Sequence, residues 1–138
     1  MGNKDTFIEK LRSSGLRATK QRLAISNLLF NRKNTFHFTI NGLMNILKKN
    51  TDAKISLATV YNTVHAFKKK GYLKEVTINS DKSYFDTNVS NHHHFYDEDK
   101  NQLIDLNQLD VGPIKIKKNI PRKKIKSVEV LVKIANSN

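Results

Sequence analysis

One segment, residues 56–71, limits the architecture more than any other part of the chain. Its apolar side chains recur at steps of three and four residues, which is the spacing of an amphipathic helix. The residues at these steps are Leu57, Val60, Val64 and Phe67. Ser56 is a favourable N-cap, and Gly71 follows three lysines at the position where helices commonly end. The segment therefore predicts a helix with one buried face, which other elements must cover.

Further helices are predicted before this segment, and two strand-like runs follow it. Apolar residues follow the N-caps Thr19 and Thr39 at helical spacing. The runs Leu73–Ile78 and Ser83–Asp86 are separated by Asn79–Lys82, which has the composition of a turn. Several short helices followed by a hairpin are the layout of a winged helix–turn–helix. In that layout the last helix enters the major groove of DNA and the hairpin is the wing.

The polar face of the 56–71 helix has the chemistry of a DNA-reading surface. Short polar groups lie near its N-terminal end and cations near its C-terminal end, which suits base edges and phosphates. The candidates on this face are Ser56, Thr59, Asn62 and Lys68, with Tyr61 at its margin and His65 on the DNA-facing or the core side. The alternative is an ordinary amphipathic helix whose polar face is only solvated.

The distribution of charge favours a polyanionic partner for the first part of the chain. The 138 residues include 25 Lys and Arg and 12 Asp and Glu, a net charge of +13. Residues 1–80 carry 15 basic and 4 acidic side chains, a net charge of +11, whereas residues 81–138 carry 10 and 8, a net charge of +2. A basic module of this kind is drawn to nucleic acid. Lysines that merely fill solvent-facing positions would give the same excess.

Several classes of protein are excluded or disfavoured. The chain has no cysteine, which excludes a disulfide framework, a Cys-ligated zinc site, an iron–sulfur cluster and a thiol nucleophile. No apolar run approaches the ~20 residues that cross a bilayer, and no apolar secretory signal is present. A Gly-rich phosphate loop and a nucleophile elbow are also lacking. We therefore expect a cytoplasmic protein that has no membrane partner and is not an enzyme.

Residues 87–138 predict a second, smaller module. Strand-like runs occupy His92–Asp97 and Gln102–Leu106, and apolar residues alternate through 128–134. Between them, Pro113–Lys126 holds seven Lys and Arg and two prolines, which predicts a basic loop. This loop is either a solvated linker, the reading that we favour, or a contact to DNA or an anionic ligand.

Three short strands in roughly fifty residues are too few for a self-sufficient core. The simplest cover is the same module of a second chain, which makes a homodimer the expected assembly. We therefore predict an α+β fold, with a winged helix–turn–helix DNA-binding domain at 1–86 followed by a small dimerisation domain at 87–138, which also carries the histidine run described next as a candidate metal-binding site.

A histidine run, His92–His94, marks a candidate metal site. Residues two apart on a strand point to the same side, so the first and third histidines can converge on one ion while the second faces the other way. Further donors are Asp86 before the run, Asp105 on the neighbouring predicted strand, and His37 at the start of the third helix. Imidazoles with carboxylates suit Fe(II), Mn(II) or Zn(II). A polar surface loop with three adjacent histidines is the alternative.

Several of these segments resemble the ferric uptake regulator (Fur) family. The run Gly15–Arg22 is similar to the family's opening, as is His37–Thr39, and Ser56–His65 is similar to its recognition helix. Within that helix, Asn62, Thr63 and His65 are closest to the iron response regulator (Irr) branch. The segment Asn91–Phe95 and the closing strand Lys126–Val132 also resemble that branch. Members of the family are dimeric, metal-responsive transcription factors with a winged-helix domain and a small α/β dimerisation domain.

The resemblance implies roles for individual residues. Arg17 would approach the minor groove and Tyr61 would contact a base in the major groove, with Thr59 and Asn62 nearby. Further candidates for DNA contact in the opening run are Thr19, Lys20 and Arg22. The family's regulatory metal site matches His37, Asp86, His92, His94 and Asp105. His93 is the candidate for a weak second metal site or, because the Irr branch is associated with haem, for a haem ligand.

The implied function is an iron- or haem-linked transcription repressor. It would bind an A/T-rich inverted repeat in double-stranded DNA as a homodimer, with Fe(II), Mn(II) or Zn(II) as the cofactor and haem as a further candidate. Two alternatives remain open. One is a peroxide sensor of the same family, in which bound Fe(II) leads to oxidation of a ligand histidine. The other is a metal-independent winged-helix protein that binds DNA or RNA.

Overall fold

The computed structural model describes residues 3–51 and 54–137, and the chain divides into two compact units. The first unit, Met1–Val89, contains α-helices and a three-stranded sheet, and the second unit, Ser90–Asn138, contains another three-stranded sheet. The fold is α+β, as the sequence predicts. Within the described ranges no helix combines the length and the apolar character that crossing a membrane requires.

The first unit has the element order of a winged helix–turn–helix. Its elements are α1 (Asn3–Ser13), α2 (Lys20–Phe30), β1 (His37–Phe38), α3 (Ile40–Asn50), α4 (Leu57–Lys70), β2 (Lys74–Asn79) and β3 (Lys82–Asp86). The helices α3 and α4 form the helix–turn–helix, and the β2–β3 hairpin is the wing. The strands of the wing begin and end within one residue of the predicted runs.

Local capping explains where α2, α3 and α4 begin and where α4 ends. The hydroxyls of Thr19, Thr39 and Ser56 each accept a hydrogen bond from a backbone N–H in the first turn of the helix that follows. Gly71 ends α4 with a φ of 98°, a left-handed conformation that glycine adopts without a Cβ clash. The predicted caps are therefore confirmed.

One apolar core covers the inner face of α4. The buried residues of this helix are Val60, Thr63, Val64 and Phe67. Thr63 is tolerated there because its hydroxyl donates a hydrogen bond to the carbonyl of Thr59 at 2.7 Å. The predicted stripe is wrong at Leu57, which is 50% exposed. A helical period indicates which face is buried, but not how far along the helix the covering elements reach.

The sheet of the first unit has the order β1-β3-β2, with antiparallel neighbours. The two-residue strand β1 pairs His37 with Asp86 and Phe38 with Phe85. The prediction from the sequence that His37 lies at the start of the third helix is wrong, because His37 lies in β1, before the cap Thr39. This pairing brings residues that are far apart in the sequence side by side.

The second unit is a small sheet with the order β5-β4-β6. Its elements are β4 (His93–Asp97), β5 (Gln102–Leu106), the short 3-10 helix Gln108–Asp110 and β6 (Leu131–Ile134). Strand β4 is antiparallel to β5 and parallel to β6. The third strand begins at Leu131, three residues later than predicted. Residues 113–126 are exposed and form no helix or strand, in agreement with the predicted basic loop.

Candidate metal centre and nucleic-acid interface

The first unit places one histidine beside one buried carboxylate. The β1–β3 register sets His37 opposite Asp86, and His37 Nε2 lies 3.2 Å from Asp86 Oδ2. Asp86 is fully buried, and its Oδ1 accepts a hydrogen bond from the backbone N–H of Asn88 at 2.8 Å. A buried carboxylate needs a compensating charge. Either a proton on His37 or a metal ion between the two side chains supplies it.

The second unit directs two histidines at one carboxylate. The β4–β5 register pairs His94 with Asp105, and His92 lies two residues before His94. Asp105 Oδ1 is 3.3 Å from His92 Nε2 and 3.4 Å from His94 Nε2. Both imidazoles are buried, whereas the side chain of Asp105 is 48% exposed. The predicted convergence of His92 and His94 is therefore present within this unit.

Hydrogen bonding fixes the tautomer of His92. Its Nδ1 lies 2.7 Å from the carbonyl oxygen of Ser90. Because a carbonyl only accepts, Nδ1 must carry a proton, and a neutral His92 then has its lone pair on Nε2. In that state Nε2 and Asp105 Oδ1 face each other as two acceptors. A cation between them satisfies both, and second-shell carbonyls commonly orient metal-binding histidines in this way.

His93 has a different environment. It is buried, and its Nδ1 accepts a hydrogen bond from the backbone N–H of Val130 at 2.9 Å. A neutral imidazole that accepts at Nδ1 carries its proton on Nε2, so neither nitrogen has a lone pair left for a metal. This geometry argues against the expected role of His93 as a second-site or haem ligand. His93 instead joins β4 to the segment that precedes β6.

The donor chemistry of each half fits a divalent transition metal. Two ligands that each lie about 2.0–2.2 Å from one ion are roughly 2.8–3.6 Å apart in tetrahedral or octahedral geometry. The observed separations of 3.2, 3.3 and 3.4 Å fall in this range. Neutral imidazoles and carboxylates, without thiolates, suit Fe(II), Mn(II) or Zn(II). The potential ligands are His37 and Asp86 in the first unit and His92, His94 and Asp105 in the second.

Helix α4 exposes most of the residues predicted to read DNA. Tyr61 is 52% exposed, and Ser56 and Asn62 are exposed as well. Thr59 is half-buried, and its hydroxyl lies 2.9 Å from that of Ser56, which also caps the helix. Tyr61 and Asn62 are therefore the side chains of this helix best placed for contact with bases.

Lys68 is paired within the protein. Its Nζ donates a hydrogen bond to Glu75 Oε1 at 2.7 Å. This bond is the largest cause that holds the pKa of Glu75 below its usual range. A hydrogen bond with Ser83 and the charge of His65 act in the same direction, while burial opposes them. Lys68, which the sequence analysis assigned to DNA, therefore already has a carboxylate partner.

The candidates in the opening run surround the start of α2. Arg17 and Lys20 are exposed cations, and Thr19 is the N-cap. Arg22 is half-buried, and its Nη1 donates a hydrogen bond to the carbonyl of Arg17 at 3.1 Å. Its Nε is buried and has no hydrogen-bond partner among the described residues. Arg17 and Lys20 are thus available to phosphates, while Arg22 holds the backbone before α2.

Sequence patterns did not identify Leu57 and Glu75 as residues of this surface. Leu57, together with the predicted Tyr61, lines one side of a cleft of about 870 Å³ that α4 shares with the start of α3 and the wing. Glu75, on β2, also lines this cleft besides binding Lys68. Leu57 lies one helical turn before Tyr61. This spacing was the only feature of the sequence that could have placed Leu57 beside Tyr61 on the exposed surface. No periodic pattern identifies Glu75.

The model of the ferric uptake regulator family matches residues 13–135. The chain belongs to the ferric uptake regulator family. The match includes every candidate metal ligand in both units. Fur-family membership therefore agrees with the motifs in the recognition helix and the histidine run.

Relatives with similar sequences include peroxide-responsive repressors. PerR of Staphylococcus epidermidis is 36% identical over 105 residues, which cover 75% of this chain and 68% of the relative. PerR of Staphylococcus aureus strain Mu50 is 35% identical over 99 residues, 72% of this chain and 65% of the relative. The chain thus spans slightly less than two thirds of the length of the S. aureus repressor.

Solved structures of Fur proteins share the fold at low sequence identity. The ferric uptake regulator of Pseudomonas aeruginosa with manganese has a TM-score of 0.68 at 16% identity, over 96% of this chain and 98% of that one. The Vibrio cholerae ferric uptake regulator also has a TM-score of 0.68, at 19% identity, over 94% and 98%. The Francisella tularensis protein with iron has a TM-score of 0.67 at 15% identity, over 88% and 92%.

Proposed function

We propose that the chain is a metal-responsive transcription regulator, a repressor that binds double-stranded DNA as a homodimer. The observation that carries this proposal is the presence, in a Fur-family chain, of nitrogen and oxygen donors at metal-ligand separations in both units. Membership of the family supports regulation rather than catalysis, and a cytoplasmic location. The experiment below measures whether a metal ion changes DNA affinity.

We infer that the donors of both units bind one divalent ion, Fe(II), Mn(II) or Zn(II). His37 and Asp86 alone offer two ligands, and His92, His94 and Asp105 offer three. Zinc sites with only protein ligands take four, and Mn(II) sites usually take more. An ion that takes ligands from both units would favour one relative orientation of the DNA-binding domain. Metal binding would change DNA affinity in this way.

We infer that α4 reads bases while the start of α2 binds the backbone. Tyr61 and Asn62 are exposed on α4, and Arg17 and Lys20 are exposed cations before and at the start of α2. The first 80 residues carry a net charge of +11, which favours phosphate contact. A two-fold dimer presents two reading helices to two half-sites, so the expected operator is an inverted repeat, A/T-rich by resemblance to the family.

The second unit supports the homodimer. Its register places Ile104 and Val132 on either side of Phe95, which gives an apolar row across three strands. Ile104 and Val132 are 38% and 36% exposed. An exposed apolar row of this kind is typical of a protein–protein interface, and a second copy of the same unit can bury it.

A peroxide sensor is the second candidate, because PerR relatives are 35–36% identical to this chain. In that case hydrogen peroxide transfers one oxygen atom to the imidazole of a ligand histidine, and the remainder of the peroxide is released as water. The Irr resemblance of Asn91–Phe95 favours an iron signal instead. Mass spectrometry of the Fe(II)-loaded protein after peroxide treatment separates the two. One added oxygen atom that fragmentation places on His37 or within His92–His94, rather than on Met44, indicates the peroxide sensor.

DNA binding with and without metal tests the main proposal. A duplex is first selected from a random-sequence library by the Mn(II)-loaded protein, and its affinity is then measured in MnCl₂ and in a chelator. We expect a change of about 5- to 150-fold, the usual size of coupling between two sites. Asp105→Asn should remove this change, while the matched variant Asp110→Asn, an exposed carboxylate in the same unit, should retain it. Equal affinity of the wild type under both conditions would favour the metal-independent nucleic-acid-binding protein.

A further inference from the structure

His65 lies between the exposed ring of Tyr61 and the buried strand β3. It follows Tyr61 by one helical turn on α4, and residues four apart share a helix face. The two ring centroids are 4.1 Å apart, and the rings are tilted by 41°. His65 itself is half-buried. One side of the exposed Tyr61 ring is thus covered by an imidazole of the same helix.

The other side of His65 contacts the core. Its ring meets Phe85 in an edge arrangement, with centroids 5.4 Å apart and an interplanar angle of 85°. Such edge contacts between aromatic rings are favourable. Phe85 is 2% exposed and packs against Phe38 of β1, with centroids 5.8 Å apart. His65 therefore connects a surface tyrosine to a buried phenylalanine pair.

The phenylalanine pair adjoins the metal half-site of the first unit. Phe85 is followed by Asp86 on β3, and Phe38 is preceded by His37 on β1. Because close-packed interiors transmit small displacements, a shift of β1 against β3 also moves Phe85. The His37–Asp86 pair is thus joined to Phe38 and Phe85 through the backbone of β1 and β3, and ring contacts lead from Phe85 through His65 to Tyr61.

The neighbouring strand carries a carboxylate. Glu75 on β2 is the register partner of Phe85, and its Oε1 accepts a hydrogen bond from Lys68 Nζ at 2.7 Å. The position of the imidazole is therefore set by its contacts with the rings of Tyr61 and Phe85.

We propose that His65 is a positioning residue, which fixes the ring of Tyr61 for contact with a base and couples that ring through Phe85 to the strand that bears Asp86. The proposal rests on the proposed function, because it requires Tyr61 to contact DNA. An unstacked tyrosine samples several rotamers and loses this freedom when it binds. A Tyr61 ring that is already stacked on His65 has lost this rotamer freedom before DNA binds, so DNA binding is tighter.

Binding of single and double variants to two duplexes tests this proposal. One duplex is selected from a random library by the wild type, and the other has the same bases in scrambled order. His65→Ala should weaken binding to the selected duplex by about 3- to 10-fold, the size expected for an aromatic pair, and change binding to the scrambled duplex by less than about twofold. His65→Phe, which keeps a ring, should restore discrimination, and His65→Leu, which keeps apolar bulk without a ring, should not.

The double variant Tyr61→Ala, His65→Ala shows whether His65 acts through the ring of Tyr61. In the Tyr61→Ala background, His65→Ala should have no further effect, because the ring that it positions is gone. The proposal would be overturned if His65→Ala weakened binding as much in the Tyr61→Ala background as it does in the wild type. It would also be overturned if folded His65→Ala and His65→Leu both discriminated fully between the selected and the scrambled duplex. The ratio of affinities in MnCl₂ and chelator should also shrink in His65→Ala and recover in His65→Phe, and an unchanged ratio would overturn the coupling to Asp86. If Tyr61→Ala alone leaves discrimination intact, the proposed function itself fails at this helix.

Discussion

Asp86→Asn alters the charge of a fully buried side chain while keeping its shape. The amide oxygen can still accept the hydrogen bond from the backbone N–H of Asn88, which is 2.8 Å from Asp86 Oδ1. The negative charge that faces His37 Nε2 at 3.2 Å is lost. Without metal, we expect the variant to have a lower free energy of unfolding, because removing one partner of a buried ion pair costs up to about 3–5 kcal/mol. The comparison in chelator measures this loss, and the effect of metal is read as the further change within each protein.

With metal, the wild type and this variant should diverge. At a Mn(II) concentration of about 100 times Kd, a ligand that binds only the folded state adds about 2.7 kcal/mol to the stability of the wild type. For a chain of this length that raises the Tm by roughly 10 °C. If the loss of one charged ligand weakens affinity about 100-fold, the same Mn(II) concentration adds only about 0.4 kcal/mol to Asp86→Asn.

Thermal unfolding followed by far-UV circular dichroism measures this difference. Wild type and Asp86→Asn are compared in chelator and in MnCl₂, with the exposed Asp110→Asn as the matched loss of charge. Asp110→Asn should keep the full metal-induced rise in Tm. An equal rise in Asp86→Asn would show that this carboxylate does not hold the ion.

Further predictions concern the packing and electrostatics of α4 and of two glycines. Phe67→Ala removes a fully buried ring and should lower the free energy of unfolding by about 3–5 kcal/mol in urea. Leu57→Ala, at a 50% exposed site, should change the free energy of unfolding by less than about 0.5 kcal/mol. A loss as large as that of Phe67→Ala would contradict the exposure of Leu57. Glu75→Gln should lower the free energy of unfolding by about 0.2–1 kcal/mol near neutral pH. Because folding lowers the pKa of Glu75, this contribution is complete above the ordinary glutamate pKa and is lost as the pH falls through the lowered one; a pH-independent cost would refute it. Gly71→Ala should lower the free energy of unfolding by about 1–2 kcal/mol, because φ is 98° there. Gly112→Ala should cause no such loss, because a Cβ added at Gly112 meets no atom within 4 Å. Equal losses in the two variants would argue against backbone strain at Gly71.

Signals that act over a few residues made the helices of the first unit predictable. Each N-cap hydroxyl accepts from a backbone N–H three residues later, so Thr19, Thr39 and Ser56 could be recognised from adjacent sequence alone. The left-handed end of α4 at Gly71 is equally local. These elements follow from the chain's own chemistry within one helical turn.

Features that depend on tertiary pairing were not predictable. A two-residue strand has no period, so β1 and the pairing of His37 with Asp86 were not predicted, even though both residues were expected to be metal ligands. The partner of Lys68 is Glu75 on the following strand, and the exposed face of α4 gave no indication of it. Likewise, the alternation along β4 predicted the convergence of His92 and His94, but not the distant Val130 N–H that occupies His93.

Titration of Mn(II) followed by calorimetry can decide whether the two units share one ion. The proteins compared are the wild type and one variant from each unit, His37→Ala and Asp105→Asn. We predict one Mn(II) per chain for the wild type and a much weaker site in both variants, because each loses a ligand of the same ion. If either variant retained one Mn(II) per chain at wild-type affinity, the shared site would be refuted.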